Sequence, residues 1–325
     1  MASGIQEKMH IKFWGACGSL PAPADAGAVR RKVCLALEAA QGRSFRDMAE
    51  IERFVDGLPF AVRGTYGGNT ACVQISRGED SILCDAGTGL RDFGNSLRSM
   101  KKGQAPIAFH IFLSHLHWDH IQGLPFFTPI YVPGNTVCLY GCHPDMKEAI
   151  ADQHASCHFP VPFSALGAGV SFRTLSPGEE YEINGFKVRA VEQNHPGRSY
   201  GYSFEAEGKK VVYSTDSEHH SGEEADAAAS GGFFSGADLL IFDAQYSLAD
   251  ADVTKRDWGH SSNLIGVEFA VQAGVKRLVL FHREPALADE ELDNVLENTR
   301  KYARIHAGNE VLAVDMAYDG LELEV

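Results

Sequence analysis

Three histidines and an aspartate lie within six positions of the stretch "LSHLHWDHIQG", residues 113–123. They are His115, His117, Asp119 and His120, and they follow directly on the apolar run "IAFHIFL". Imidazole nitrogens and a carboxylate oxygen, without a thiolate, suit Zn²⁺, Mn²⁺ or Fe²⁺. His115 and His117 are two residues apart and point the same way in an extended segment, whereas Asp119 and His120 lie on the following turn. The spacing therefore predicts that one loop serves two neighbouring metal positions.

The alternative is a loop in which the four polar side chains only hydrogen-bond one another, but H-x-H-x-D-H rarely arises by chance, and we favour the metal site. One loop cannot close a binuclear centre, so further ligands must come from other places where apolar strands end. Three residues meet that condition: His195 after "FKVRAVEQN", Asp216 at the end of "KKVVYSTD" and His282 at the end of "KRLVLFH". Each alone would more often be structural, but their repeated placement favours a shared site.

Short apolar runs bounded by Gly, Asn or Asp recur along the chain and predict strands. They are "HIKFWG", "ACVQIS", "SILCDAG", "AFHIFLS", "TVCLYG", "GFKVRAVE", "YGYSFEA", "KKVVYSTD", "DLLIFDA", "KRLVLFH" and "EVLAVD". Helical spacing predicts four helices, in "SFRDMAEIERFVDGL" after a Ser44 cap, "PDMKEAIADQ", "SSNLIGVEFAVQAG" and "ALADEELDNVLENTRKYARI". Strands dominate the first half, and helix alternates with strand in the last third. The pattern predicts an α/β fold, a four-layer αβ/βα sandwich of two mixed β-sheets flanked by helices.

The expected organisation is one domain over residues 1–325 with a helical insertion at about 20–64. We expect the insertion to pack over the core, and a cap over the active site or a dimer contact is the alternative. The acidic stretch at 221–232 predicts a surface loop with a short helix.

Composition narrows the classes of function. The net charge of −14 argues against a protein that holds long nucleic acid, because that task needs clustered Lys and Arg. Seven cysteines without a CxxC pair indicate reduced core thiols in a cytoplasmic protein. The first residues contain no apolar signal segment, and no later run approaches 18 apolar residues, so we expect neither export nor a membrane span. A second metal site at His143, His154 and His158, with Cys142 and Cys157, is not expected, because their spacing matches no structural zinc pattern.

Five separated motifs carry a family resemblance. "LCDAGTGL", "SHLHWDH", "NHPGRSYGYSFE", "VVYSTD" and "LVLFHREP" occur in the order found in the metallo-β-lactamase fold superfamily of binuclear hydrolases. The chain resembles that superfamily from about residue 10 to 320, except for the segment at 20–64. The resemblance implies two divalent metal ions, with zinc preferred, and the following ligands: His115, His117 and His195 for one ion, Asp119, His120 and His282 for the other, and Asp216 as the bridge.

The resemblance also implies that Asp85, in "LCDAGTGL", orients a metal ligand rather than binding the metal. The alternative is a turn aspartate before Gly87 and Gly89. Metal-assisted hydrolysis is the expected reaction class, because two ions about 3.5–4 Å apart can activate water and bind both oxygens of a displacement at phosphorus.

Two features favour phosphorus as the atom attacked. The position that is commonly Cys in the classical β-lactamases is Asp216 here. "WGHSSNLIGVEFAVQAGVKRLVLFH" resembles the "GHST, helix, strand, His" passage of the branch that includes tRNA 3′-processing endonucleases and small cyclic-nucleotide phosphodiesterases. The resemblance implies that His260 steadies the phosphoryl oxygens and protonates the leaving alkoxide, for which an imidazole is suited. The alternative is a histidine that only precedes a helix capped by Ser261 or Ser262.

The expected function is that of a cytoplasmic phosphodiesterase acting on a small-molecule phosphodiester, for example a cyclic nucleotide, with a homodimer possible. The tRNA-processing enzymes carry a basic arm rich in Gly and Pro, whereas the stretch at 131–180 contains the nearly uncharged "ADQHASCHFPVPFSALGAG". Long nucleic acid is therefore the less favoured substrate. The alternatives are an RNA-processing endonuclease, a thioester or lactone hydrolase of the same fold, and a non-catalytic metal-binding regulatory protein.

Overall fold

Two seven-stranded sheets form the centre of the protein, in a computed structural model that describes residues 7–97, 105–219, 232–247, 255–308 and 311–325. The first sheet has the order β14-β1-β2-β3-β4-β5-β6, and the second has the order β13-β12-β11-β10-β9-β8-β7. The strands of the first sheet are β1 (His10–Gly15), β2 (Cys72–Arg77), β3 (Asp80–Cys84), β4 (Ala108–Phe112), β5 (Thr136–Gly141), β6 (Gly169–Thr174) and β14 (Glu322–Glu324). Those of the second sheet are β7 (Glu180–Ile183), β8 (Phe186–Gln193), β9 (Ser199–Ala206), β10 (Lys209–Ser214), β11 (Leu239–Asp243), β12 (Arg277–Phe281) and β13 (Ala313–Met316).

Helices lie outside the two sheets. In chain order they are α1 (Ala26–Ala39), α2 (Met48–Asp56), α3 (Phe60–Arg63), α4 (Gly89–Ser96), α5 (Trp118–Ile121), α6 (Met146–Asp152), α7 (Asn263–Gln272) and α8 (Asp289–His306). Within the described ranges, no helix is both long enough and apolar enough to cross a membrane.

The apolar core has three layers of contact, which establishes the four-layer αβ/βα sandwich. Between the sheets, Phe112 of β4 packs edge-on against Phe204 of β9 with ring centroids 5.2 Å apart. Outside the second sheet, Phe242 of β11 contacts Phe269 of α7 at 6.0 Å. Outside the first sheet, α4 and its neighbours form a third apolar cluster. The fold class expected from the sequence is confirmed.

Strand direction places several strand ends at one edge of the molecule. In the second sheet β10, β11 and β12 are parallel, and β8 runs the same way because it is antiparallel to β9, which is antiparallel to β10. In the first sheet β3 and β4 are parallel. Since the carboxyl ends of parallel strands meet at the same edge, the residues that follow these strands come together.

The eleven strands expected from apolar runs are confirmed, whereas β6, β7 and β14 were not expected from the sequence. Their exposed positions dilute the apolar signal, as in "GVSFRT" of β6. The expected Ser44 cap is wrong. Asp47 caps α2, its carboxylate accepting from the backbone N–H of Glu50 at 2.9 Å, and Gly57 and Pro59 separate α2 from α3.

The segment at 20–64 contains α1, α2 and α3 and is attached to the start of α8. The Lys32 ammonium lies 2.5 Å from the carboxylate of Asp289 and also donates to backbone carbonyls at the end of α3. The backbone N–H of Ala61 donates to Asp293 at 3.0 Å. The helical character expected for this segment is present, and the single-domain organisation stays a prediction.

All seven cysteines are free thiols, and Cys17, Cys72, Cys84 and Cys142 are buried as expected. Cys34 and Cys157 are exposed, so the expectation of core thiols does not hold for these two. Residues 221–231 of the acidic stretch lie outside the described residues.

Gly123, directly after α5, marks a close approach of two backbone segments. A Cβ at this position would lie 1.9 Å from the carbonyl oxygen of Gly87. We expect Gly123→Ala to lower the free energy of unfolding by roughly 2–3 kcal/mol, because a rigid backbone must move to make room. Urea denaturation measures the change. Gly169→Ala is the matched control, since the nearest atom to its Cβ would be at 3.8 Å; equal effects at the two positions would contradict the prediction.

Candidate metal centre

The loop after β4 carries four candidate ligands to the shared edge of the sheets. His115 is buried directly after the strand, and His117 lies at the start of α5. The single turn of α5 then brings Asp119 and His120 onto its inner face, where both are buried. The four residues that the sequence places in one loop thus lie at the same edge of the sheets.

The second sheet delivers three further residues to the same place. His195 follows β8, Asp216 follows β10 and His282 follows β12, and all three are buried. Asp216 is central: its carboxylate oxygens lie 3.2 Å from His120 Nε2, 3.4 Å from His282 Nε2 and 3.7 Å from His115 Nε2.

The seven residues form two adjoining groups of potential ligand atoms. One group is His115, His117 and His195, with 3.1 Å between His195 Nε2 and His117 Nδ1. The other is Asp119, His120, Asp216 and His282. Within each group all potential ligand atoms lie within 4.8 Å of one another, a separation that a single ion can span.

Hydrogen bonds on the far side of the rings fix which nitrogen faces the centre. His120 Nδ1 donates to Asp85 at 2.7 Å, His195 Nδ1 donates to the carbonyl of Gly259 at 2.9 Å, and His282 Nδ1 lies 3.2 Å from Gln245 Oε1. Each Nε2 is thereby left as the inward atom. Metal-binding histidines in proteins are held in this way.

An unpaired nitrogen gives an independent test of whether the cluster suits a cation. His115 Nε2 is buried and has no hydrogen-bond partner among the described residues. A buried polar atom without a partner costs about 1–3 kcal/mol, so its retention requires a compensating interaction. A divalent ion in the first group would supply that interaction, and the residues therefore fit the metal ions that the fold implies.

The three histidines of the first group are in the protonation state that binds a cation. Burial lowers the pKa of His115, His117 and His195, in the case of His115 well below the ordinary value. The three rings are therefore neutral at physiological pH, which is the form that binds metals.

The second group contains ionised carboxylates. Burial works against the Asp216 carboxylate, but the charges of His120 and His282 outweigh it and hold the pKa of Asp216 well below its usual range. Burial likewise disfavours a charged His120 ring, yet the charges of Asp216, Asp119 and Asp85 raise the pKa of His120 well above its ordinary value. The group thus attracts positive charge, which a divalent ion would supply in place of the proton.

Asp85 follows β3 and organises the back of the centre. Its fully buried carboxylate accepts from the Ser114 backbone N–H at 2.7 Å, the Ser114 hydroxyl at 2.8 Å, His120 Nδ1 at 2.7 Å and the Tyr213 hydroxyl at 2.7 Å. The residue thus contacts a candidate ligand without lying in either group, a position unlike that of an ordinary turn aspartate.

His260 lies beside the centre and is held by Asp243. Its Nδ1 donates to Asp243 Oδ2 at 2.8 Å, and the same nitrogen is 4.0 Å from Asp216 Oδ1. The ring stacks against that of His282 with centroids 5.0 Å apart. Ser262 caps α7, so the residue also precedes a capped helix as the structural alternative requires. With Nδ1 taken by Asp243, the other ring nitrogen is the one available to a substrate.

Sequence reasoning missed Asp243, Gln245 and Glu218. Asp243 ends the apolar strand β11, so the strand-end criterion applied to Asp216 would have found it. Glu218 accepts from the backbone N–H groups of Asp257 and Gly259 and holds the loop before His260. No sequence signal marks Gln245 or Glu218, because both lie in loops and their contacts depend on the path of the loop rather than on a periodic pattern.

Backbone conformation is unusual at three positions of the centre. Asp85, Asp216 and His282 have positive φ angles of 61°, 50° and 57°. Non-glycine residues rarely adopt this left-handed conformation, and such residues concentrate at functional sites. Gly259 makes a different contribution: a Cβ there would lie 2.2 Å from His195 Nδ1, so only glycine admits the ring.

The remaining histidines singled out in the sequence do not join a metal group. His143 Nε2 hydrogen-bonds to the carbonyl of Arg198, and His154 Nδ1 to that of Val161. His158 Nδ1 contacts the carbonyl of Asp152. Among the described residues these three belong to no potential metal group.

The acid–base state of His260 gives a prediction for the metal-depleted protein. Burial opposes protonation, but the charge and hydrogen bond of Asp243 and the charge of Asp216 raise the pKa of His260 to about 9. Because this value exceeds the unfolded value of about 6.5, the associated stability is complete below that pH and is lost as pH rises through 9. We expect Asp243→Asn to lower the pKa by at least ~1 unit. An NMR titration measures it, with His260→Gln to assign the resonance; an unchanged pKa would contradict the prediction.

Comparisons with known proteins identify the family of the chain. The family described as "Beta-lactamase superfamily domain" matches residues 80–283. Ribonuclease Z of Halorubrum lacusprofundi is 25% identical over 265 residues, which cover 64% of this chain and 78% of that protein.

Solved structures share the fold. A metallo-beta-lactamase fold protein from Bacillus subtilis has a TM-score of 0.62 at 18% identity, covering 98% of this chain and 100% of that one. The short form of human tRNase Z has a TM-score of 0.58 at 20% identity, covering 97% and 98%. The family resemblance inferred from the motifs is confirmed.

Proposed function

The chain belongs to the metallo-β-lactamase superfamily, and on that premise we propose that it is a metal-dependent hydrolase of a small phosphodiester, with a cyclic nucleotide as the preferred example. The observation that carries the proposal is the convergence of seven His and Asp ligand side chains beside an Asp243–His260 pair. Ligand groups alone suit many hydrolases. The Asp243–His260 pair beside these ligand groups can supply a proton, which suits a reaction with a strongly basic leaving group.

The proposed metal ligands are His115, His117 and His195 for one ion and Asp119, His120 and His282 for the other, with Asp216 shared. The short distances from Asp216 to both groups support the shared role. When bound, two divalent ions, with zinc preferred, would lower the pKa of water and stabilise negative charge on a phosphoryl oxygen. Asp85 would hold His120 in the tautomer that leaves Nε2 free.

His260 is proposed as the proton donor to the leaving oxygen. An alkoxide is a poor leaving group without a proton, and an imidazolium beside the reaction centre supplies one. The hydrogen bond to Asp243 fixes the ring and stabilises its protonated form. Asp243 is therefore a positioning residue in this scheme, since it acts through His260.

A small substrate is preferred over RNA because of the net charge of −14. Long nucleic acid binds through many Lys and Arg contacts to phosphates, which this balance disfavours. RNA processing remains the second candidate, because the curated relative described above is a Ribonuclease Z. For either function we propose a cytoplasmic location.

A substrate panel separates these functions. Purified metal-loaded protein is assayed with bis-p-nitrophenyl phosphate, cyclic AMP, a tRNA precursor and a thioester. We expect turnover of the first two, and His260→Gln is expected to slow cyclic AMP more than the nitrophenyl ester, whose leaving group needs no proton. Turnover of the tRNA precursor alone would favour the endonuclease, and turnover of the thioester alone would overturn the phosphodiester proposal. A metal-loaded protein inert to all four would favour a regulatory role.

A further inference from the structure

Helix α1 has an unusual surface for a 14-residue helix, because none of its residues is buried. One side is attached to the body of the protein through Lys32, as described above. Val29, Val33 and Leu37 lie elsewhere on the helix and are 52%, 54% and 68% exposed. Their four-residue spacing aligns them into one apolar stripe along α1. Single exposed apolar residues are ordinary, but an aligned stripe indicates a contact surface.

A second stripe runs beside the first. Arg30, Cys34 and Glu38 have the same four-residue spacing and are displaced from the apolar residues by one position each. The two charged side chains lie at opposite ends of this stripe, eight residues apart. Neither takes part in an ion pair within the described residues, whereas the neighbouring Arg31 pairs with Glu290 of α8 at 3.2 Å.

We infer that α1 is the contact helix of a twofold-symmetric homodimer, in which two copies of α1 pack antiparallel through the Val29–Val33–Leu37 stripe. In an antiparallel pair the twofold axis is perpendicular to the helices, so each flank meets the same flank of the second copy. Arg30 then faces Glu38 of the second copy, and Glu38 faces its Arg30. The charge pattern complements itself in this orientation, whereas in a parallel pair this flank would meet the opposite flank of the second copy, so that Arg30 and Glu38 would not face each other.

Other apolar residues of the inserted segment are exposed as well. A 14-residue helix is about 21 Å long, and a stable interface buries about 800 Å² on each partner, which one helix stripe does not reach. Leu20 and Met48 are each 66% exposed in the same segment, and Ile51 is also exposed. The inference concerns assembly and does not depend on the proposed hydrolase activity.

Charge exchange tests the orientation. Full-length protein is examined by analytical ultracentrifugation over a range of concentrations, with circular dichroism to verify folding. We expect a dimer for the natural sequence and a dissociation constant at least ~30-fold higher for Val33→Asp, as for a central interface residue. Arg30→Glu and Glu38→Arg should each weaken the dimer, and the double exchange should restore it. Ile305→Asp is the matched control, because Ile305 is an apolar residue of α8 that is 81% exposed.

The native Cys34 provides a second measurement. It lies near the centre of the charged stripe, and packed helices have axes about 8–10 Å apart. A short bis-maleimide should therefore cross-link the natural dimer, and Cys34→Ser should remove the product while Cys157→Ser does not. A natural protein that is monomeric at all concentrations would overturn the inference, as would a dimer unaffected by Val33→Asp or one whose double charge exchange fails to recover.

Discussion

Replacing Asp216 with alanine is expected to reduce kcat of the proposed phosphodiesterase reaction by at least ~1,000-fold, a loss of about 4 kcal/mol of transition-state stabilisation. The carboxylate lies within 3.7 Å of the Nε2 atoms of His115, His120 and His282. Its removal takes one negative charge from the point where the two ligand groups meet. Metal content, measured on the purified variant by inductively coupled plasma mass spectrometry, should fall together with activity.

Asp238→Ala is the matched control for this experiment. Asp238 is also a buried carboxylate, directly before β11, but it accepts from Lys210 N–H and pairs with Lys276, away from the centre. Any loss of stability in this variant should leave metal content per folded molecule unchanged. Full metal content and a full rate in Asp216→Ala would contradict the ligand assignment.

Replacing Asp85 with alanine is expected to lower the free energy of unfolding of the metal-depleted protein by about 3–5 kcal/mol. The substitution leaves four donors from Ser114, His120 and Tyr213 without their acceptor in a fully buried place. It also removes the hydrogen bond that fixes the His120 ring, so metal affinity should fall by about 10–100-fold. Guanidinium denaturation and metal titration measure the two effects.

Two further variants separate the contributions at this position. Asp85→Asn retains an acceptor and tolerates the positive φ of 61°, so it should recover part of the stability. Tyr213→Phe removes one of the four donors and should cost about 1 kcal/mol. A loss below ~1 kcal/mol in Asp85→Ala would mean that the network contributes little.

The ends of apolar strands were the most informative part of the sequence. His195, Asp216 and His282 could be proposed as partners of the histidine loop because each follows a β-branched and aromatic run, and parallel strands bring such ends together. The two-sheet architecture followed from the same runs. The eleven strands with strong apolar character were foreseen, but β6, which exposes most of its side chains, was not.

Other features depend on tertiary contacts that one-dimensional patterns do not contain. The helix cap at Asp47 instead of Ser44 was decided by which side chain reaches the backbone N–H of Glu50. Gln245 approaches His282 from a loop whose path follows no periodicity. The exposure of α1 could not be foreseen either. The sequence pattern of an apolar stripe is the same whether the stripe packs on the rest of the chain or on a second molecule.

The left-handed backbone at Asp85, Asp216 and His282 places a local backbone cost at three positions of the candidate metal centre. Each such conformation costs a non-glycine residue on the order of 1 kcal/mol, and glycine would adopt it freely. Glycine at position 282 would relax the backbone, but it would also remove a candidate metal ligand and leave a cavity in place of a buried ring. The side chains at these three positions are therefore present against the local backbone preference, which is the pattern expected where a site, rather than backbone stability, determines the residue.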